Sequence, residues 1–202
     1  MVTEVKYRIE QDSIGKKEVP SDAYYGVQSL RAYENFKISG LKCHSEIIKS
    51  IAEIKLAAAL TNMECGVIEE KVADAMIMAC REILEGRFND HFIVDAIQGG
   101  AGTSFNMNAN EIVANRANEI LGGNKGDYTI VHPNDHANCG QSTNDVYPSA
   151  GKIATIRLLM RNIDSLKALH GALLEKAEQF ADIIKMGRTE MQDAVPIHKL
   201  RH

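Results

Sequence analysis

Val146, Ala150, Ile153, Ile156, Met160, Ile163, Leu166, Leu169, Leu173, Ala177, Phe180 and Ile184 recur at steps of three or four residues. An apolar residue on every turn marks an amphipathic helix. From Val146 to Ile184 that is 39 residues, and at ~1.5 Å per residue such a helix approaches ~58 Å, twice the diameter of a small domain. It must pack along something large. The rest of the chain is too short to cover the stripe, so the pattern predicts partner helices from other subunits or from further chain. The stripe is a bundle interface rather than a cofactor site. Gly151 and Gly171 lie within it and are expected to permit close helix crossing or a slight bend.

Three shorter helices precede it. Ser45 to Met63 carries Ile47, Ile51, Ile54 and Ala58 at helical spacing and stops at Cys65-Gly66. Glu69 to Leu84 presents Val72, Met76, Ala79 and Ile83 on one face, with Gly86 ending it, and Asn108 to Leu121 is closed by Gly122-Gly123. Before these, Tyr7-Arg8-Ile9 and Lys17-Glu18-Val19 flank Asp12-Ser13-Ile14-Gly15 like a small hairpin, and Pro20-Ser21-Asp22 opens a short helical turn. Little core is expected from this start. The chain is therefore read as mainly α, with a helical N-terminal domain over residues 1–141 and the beginning of a long-helix bundle over 142–197. The boundary is placed at Gln141–Thr143.

Charge and cysteine usage narrow the function classes. Net charge is −4 with signs mixed along 202 residues, and no basic stripe invites nucleic acid. Charged residues interrupt every apolar stretch before the ~20 residues that span a bilayer, and Met1 to Lys6 lacks a signal peptide's apolar region, so a cytoplasmic chain is expected. Cys43, Cys65, Cys80 and Cys139 form no CxxC pair and are expected as free thiols. The seven histidines include His132 and His136, four apart, but Pro133 and Asn134 between them indicate a loop. No metal site is expected from their spacing, and nothing points to a cofactor.

Two segments carry the chemistry. In Asn134-Asp135-His136-Ala137-Asn138-Cys139-Gly140-Gln141-Ser142-Thr143-Asn144-Asp145, three good N-cap residues stand in a row before the long helix. Unpaired N–H groups and a positive dipole end lie beyond them, an arrangement suited to a carboxylate. Upstream, Gln98-Gly99-Gly100-Ala101-Gly102-Thr103-Ser104 sets two hydroxyls at a helix entry behind three glycines that let backbone approach a ligand. It matches neither the dinucleotide fingerprint nor the phosphate loop. Two hydroxyl-rich helix entries suggest one polyanionic ligand.

These segments resemble the fumarase/aspartase superfamily. The resemblance runs through Tyr7 to Gly15, Val19-Pro20, Ala23 to Gln28, Leu30-Arg31-Ala32, Glu34-Asn35-Phe36, Gly99 to Glu111, His132 to Asp145 and Met186 to Pro196. It covers nearly the whole chain but about the first two fifths of a member. Thr143, the Gly99 to Ser104 segment and Tyr24-Tyr25-Gly26-Val27 resemble the aspartase branch more than the fumarase branch. Cys139-Gly140 and Glu190 depart from the usual pattern.

The resemblance implies reversible removal of ammonia from L-aspartate to give fumarate, through an enediolate formed when the Cβ proton leaves. It assigns Thr103, Ser142 and Thr143 to the carboxylate that becomes the enediolate, Asn144 to the amino group with Thr189 nearby, and Ser104 to a weaker contact. His136 and Glu190 are expected behind these. A homotetramer is implied, with active sites built by three subunits. The family's catalytic serine loop, of the type Gly-Ser-Ser-x-Met-Pro-x-Lys-x-Asn, does not occur in this sequence. The chain alone is therefore expected to be an inactive N-terminal portion, with residues 198–202 a non-native tail. The alternatives are the corresponding part of a fumarate hydratase, or a non-catalytic fragment that binds dicarboxylates or self-associates.

Overall fold

The structure, a computed structural model, describes residues 6–197, so the tail at 198–202 lies outside the described residues. Strands β1 (Tyr7–Gln11) and β2 (Lys16–Pro20) form the expected antiparallel hairpin, with Arg8 opposite Val19. Helices α1 (Val27–Asn35), α2 (Ser45–Glu64), α3 (Glu70–Leu84) and α4 (Thr103–Ile120) follow, and α5 runs from Thr143 to Gln179. Strands β3 (Lys185–Thr189) and β4 (Gln192–Ile197) make a second hairpin that sequence periodicity did not foresee. The chain is mainly α, as expected.

The start of the chain contributes more than expected. Val19, Ala23 and Val27 form a small buried cluster, and Pro20-Ser21-Asp22 is a turn, the helix beginning only at Val27. Arg8 holds this region together, donating to the carbonyls of Pro20 and Ala23, both at 2.8 Å, and of Tyr25 at 2.9 Å. Two buried carboxylates then cap α1. Glu111 accepts from the N–H groups of Gly26, Gln28 and Ser29 and from the Ser29 hydroxyl, while Glu10 accepts from Val27 N–H. Negative charge at a helix N-terminus satisfies both the orphan donors and the dipole.

Helices α2 and α3 pack as a hairpin closed by Gly66, whose positive φ lets Val67 N–H reach the Asn62 carbonyl at 2.8 Å. On α3 the anticipated face, Val72, Met76, Ala79 and Ile83, is buried. On α2 the buried face is rotated from the expected Ile47, Ile54 and Ala58, which are only partly buried, to Ile48, Ile51, Ala52, Lys55 and Ala59. The polar Lys55 hides that face from a purely apolar pattern.

Helix α4 is the central element and starts one turn before Asn108. Its buried residues include Asn108, Glu111, Asn115 and Asn118. Each asparagine serves loop backbone in both directions. Asn108 binds Ile93 N–H and the His91 carbonyl, Asn115 binds Gly126 N–H and the Tyr24 carbonyl, and Asn118 binds Val131 N–H and carbonyl. Buried amides satisfied in this way specify loop positions instead of weakening the core.

Contacts divide the chain into two compact units, residues 1–156 and 157–202. Val146, Ala150 and Ala154 of the first turns of α5 are buried in the first unit. Pro148 lies inside α5, and the helix ends at Gln179, short of Ile184. The missing Pro148 N–H removes the helical partner of the Asn144 carbonyl. Farther along, Ile156, Met160, Leu166, Leu169 and Leu173 are exposed. A Cβ at Gly151 or Gly171 would meet nothing within 4 Å, so neither glycine mediates a close crossing among the described residues.

In the second unit, Lys185 pairs with Ile197 and Thr189 with Gln192. Glu190 and Met191 form the turn with φ of 49° and 64°. Both occupy the left-handed region that ordinarily selects Gly, Asn or Asp. The four cysteines are free. No described helix is long and apolar enough to cross a membrane.

Candidate active site

The site is built where α4 and α5 begin. Helix α4 starts at Gly102, whose φ of +87° is left-handed. A Cβ there would sit 2.2 Å from the Tyr147 ring on α5. Only glycine allows this approach, which joins the two helix starts. Gly102→Ala is expected to cost about 2–4 kcal/mol from backbone strain plus overpacking. A thermal midpoint equal to that of the parent would refute the role given to this contact.

At the α4 start, the Gln98 side chain accepts from Phe105 N–H, and Asn106 N–H returns to the Gly102 carbonyl at 2.9 Å. Thr103 and Ser104 are the first two helical residues, whose N–H groups have no i−4 partner within the helix. Asp95 holds the entry to this glycine-rich segment. The Ser39 hydroxyl, with the N–H groups of Ile97, Gly40 and Ser39, keeps its carboxyl well below the usual range.

At the α5 start, Ser142 is the cap among the three candidates. Its carbonyl accepts from Val146 N–H at 3.0 Å, and its hydroxyl accepts from Asn144 N–H at 3.3 Å. Thr143 is half-buried and its Oγ1 accepts from Asn106 Nδ2 at 2.8 Å. Asn106 lies one turn beyond Thr103, so this bond ties the hydroxyl-bearing ends of α4 and α5 to each other. Thr103, Ser142 and Asn144 are exposed, and Ser104 is half-buried. A cleft of about 340 Å³ beside them is lined by Ala96, Ile97, Gln98, Gly100, Ala101, Gly102, Tyr147 and Pro148. Its lining includes none of the predicted hydroxyls.

Beneath the 138–143 loop lies a polar cluster that the sequence reading missed. Lys55 is 1% exposed, and its ammonium donates to Asn138 Oδ1 and Gln141 Oε1, both at 2.9 Å. Burial pulls its pKa down to about 7, against a small opposing effect of Cys80 on α3. Asn106 Nδ2 reaches Asn138 Oδ1 at 3.0 Å, and Asn138 Nδ2 donates to the Gln141 carbonyl at 3.1 Å. The signal was present in the spacing: Ile48, Ile51, Lys55 and Ala59 share one helical face.

The turn before this loop is a single π-helical turn, Pro133–Ala137, where a loop was expected. His132 Nδ1 accepts from the N–H groups of Asn134 and Asp135, and His136 Nδ1 accepts from His132 N–H at 2.8 Å. Both nitrogens are occupied in holding the turn. Burial lowers the His136 pKa, partly offset by Asp135. Among the described residues no group of His, Cys, Asp or Glu side chains is arranged to hold a metal ion. Thr189 and Glu190 belong to the second unit, at the end of β3 and in the turn that follows, and both are exposed.

Two helix starts carrying five hydroxyl or amide side chains thus stand together on a mainly α scaffold. A family model described as Lyase matches residues 15–199, and the chain belongs to that lyase family, the fumarase/aspartase superfamily its motifs resemble. It is 54% identical over 190 residues to an aspartate ammonia-lyase from Bacillus sp., a match covering 94% of this chain and 41% of that protein. The fold is shared with fumarate lyase:delta crystallin from Brucella melitensis bound to cobalt, at a TM-score of 0.79 and 46% identity over 95% of this chain and 42% of that one. A class II fumarase from Schistosoma mansoni follows, at a TM-score of 0.74 and 40% identity over 96% of this chain and 41% of that one. The chain spans about 40% of the length of the curated relatives it matches.

Proposed function

We propose that this chain is the N-terminal part of an aspartate ammonia-lyase and supplies one wall of its substrate site. The bond between Asn106 and Thr143 supports the reading, because it joins the starts of α4 and α5, whose hydroxyls would then share one dicarboxylate. The similarity to aspartate ammonia-lyases supports the choice of substrate.

The reaction's difficulty lies at the Cβ proton of L-aspartate, since its removal adds negative charge beside an existing carboxylate. Donors fixed in advance lower that barrier, and each is worth ~2.7–4 kcal/mol. Thr103, Ser142 and Thr143 bind the carboxylate that becomes the enediolate, through hydroxyls and through the unpaired N–H groups of the two first turns. The Asn144 amide oxygen accepts from the substrate ammonium, with Thr189 nearby in the complete enzyme and Ser104 as a weaker contact. His136 shapes the loop from behind, and the family resemblance assigns Glu190 a supporting role behind the substrate contacts in the complete enzyme. The general base is a serine on a segment that this sequence does not contain. The exposed stripe on α5 is covered in a cytoplasmic homotetramer, whose bundle domain begins with α5.

Fumarate absorbance gives the test. A chimera joining residues 1–197 to the remaining part of the Bacillus sp. relative is expected to release fumarate from L-aspartate and not from L-malate, while this chain alone releases none. Preference for L-malate would move the reading to fumarate hydratase. Silence of the chimera with both substrates would leave the non-catalytic reading.

A further inference from the structure

We infer that Lys55, Asn138 and Asn106 act as positioning residues that hold the Thr143 hydroxyl as an outward donor to an anionic ligand. The inference rests on the dicarboxylate reading above. Its ground is the limited number of donors and acceptors in a buried chain of contacts. Lys55 has hydrogens for two acceptors whether charged or, above its pKa of about 7, neutral. Two of its hydrogens are directed at Asn138 Oδ1 and Gln141 Oε1. Asn138 therefore presents its oxygen toward α2 and α4, and its Nδ2 is spent on the Gln141 carbonyl.

Asn106 meets that oxygen from α4. Its Nδ2 carries two hydrogens, one for Asn138 Oδ1 at 3.0 Å and one for Thr143 Oγ1 at 2.8 Å. Were the amide turned over, its oxygen would face Asn138 Oδ1 and repel it, so the lysine donor beneath sets the amide's direction. An NH2 group only donates, which makes Thr143 Oγ1 the acceptor in that bond. The threonine's single hydroxyl hydrogen is then left to point away from α4. A donor fixed before the ligand arrives needs no rearrangement as charge develops.

In this orientation the Oδ1 atoms of Asn106 and Asn110 are buried without a partner, which the donors converging on Asn138 Oδ1 offset. Asn110 Nδ2, one turn along α4, also faces Asn138 Oδ1 at 3.4 Å. The Cys80 thiol of α3 interacts electrostatically with Lys55, and burial pushes it up to about 12 and so keeps it neutral. The lysine amine holds amide oxygens.

The test uses Asn106→Asp, which keeps size but turns a donor into an acceptor, together with Thr143→Val and the double variant. In the chimera described above, each single change is expected to lower kcat by roughly 100-fold with KM changed less than about threefold. If Asn106 acts through Thr143, the double variant is no worse than Thr143→Val alone within about threefold. Multiplication of the two losses, or an Asn106→Asp activity within threefold of the parent, overturns the inference. Should the aspartate variant fail to fold, Asn106→Ala is judged by the same limits.

A silent parent chimera would count against the dicarboxylate reading, and the relay is then decided on this chain by nuclear magnetic resonance titration of Lys55 Nζ. A carboxylate at residue 106 is expected to raise the Lys55 midpoint by at least about one pH unit if the three side chains are coupled as described. An unchanged midpoint overturns the relay.

Discussion

Glu111→Ala is expected to lower the unfolding free energy by about 3–5 kcal/mol, a large part of a typical margin of ~5–15 kcal/mol. Three backbone N–H groups and the Ser29 hydroxyl converge on this fully buried carboxylate. Without it, several donors at the start of α1 are left in the interior, each costing ~1–3 kcal/mol where water cannot replace the lost partner. Glu111→Gln keeps one oxygen and turns an NH2 toward donors, so about half the loss is expected. Urea unfolding followed by circular dichroism at pH 7 measures both. A loss below about 1 kcal/mol for the alanine variant would show that Glu10 holds the helix start unaided.

The second large effect concerns pH. Lys55 has a folded pKa of about 7 against 10.5 in the open chain. Between those values the unfolded state binds more protons, so this residue adds stability as pH rises, at up to about 1.4 kcal/mol per pH unit. Its contribution is complete above 10.5 and lost as pH falls through 7. Two thiols pull the other way, since burial pushes Cys80 up to about 12 and Cys43 to about 11. The difference between the parent and Lys55→Met therefore isolates the lysine. Measured above pH 8, it also avoids Glu111, pushed up to about 7 by burial with Glu10 adding to the rise. Parallel stability curves from pH 8 to 10 would mean that Lys55 stays charged in the fold.

What the sequence disclosed follows from where apolar side chains are informative. Helix α3 was legible to within a residue because Val72, Met76, Ala79 and Ile83 all face the core. Helix α4 began earlier than expected and hid its importance, since Asn108, Glu111, Asn115 and Asn118 read as surface residues and are buried. Their partners are loop backbone groups, which no periodicity records. The β3–β4 hairpin was obscured likewise, because Glu190 and Met191 take left-handed conformations without a glycine to announce the turn.

For the proposed site, hydroxyl-rich helix entries pointed to Thr103 and Ser142 to Asn144, while Lys55 went unnoticed inside an apolar run. A lysine in the phase of Ile48, Ile51 and Ala59 is the kind of residue such a pattern identifies only when polar positions are counted with the apolar ones.

Helix α4 touches loop backbone through asparagines along its length and meets α5 through Gly102 and Asn106. A helix held on so many sides has few soft directions in which to shift or rotate. Drift at a catalytic wall costs rate because reacting groups spend time misaligned. In the proposed enzyme the expense of alignment would fall on folding, and each turnover would inherit a wall already in register.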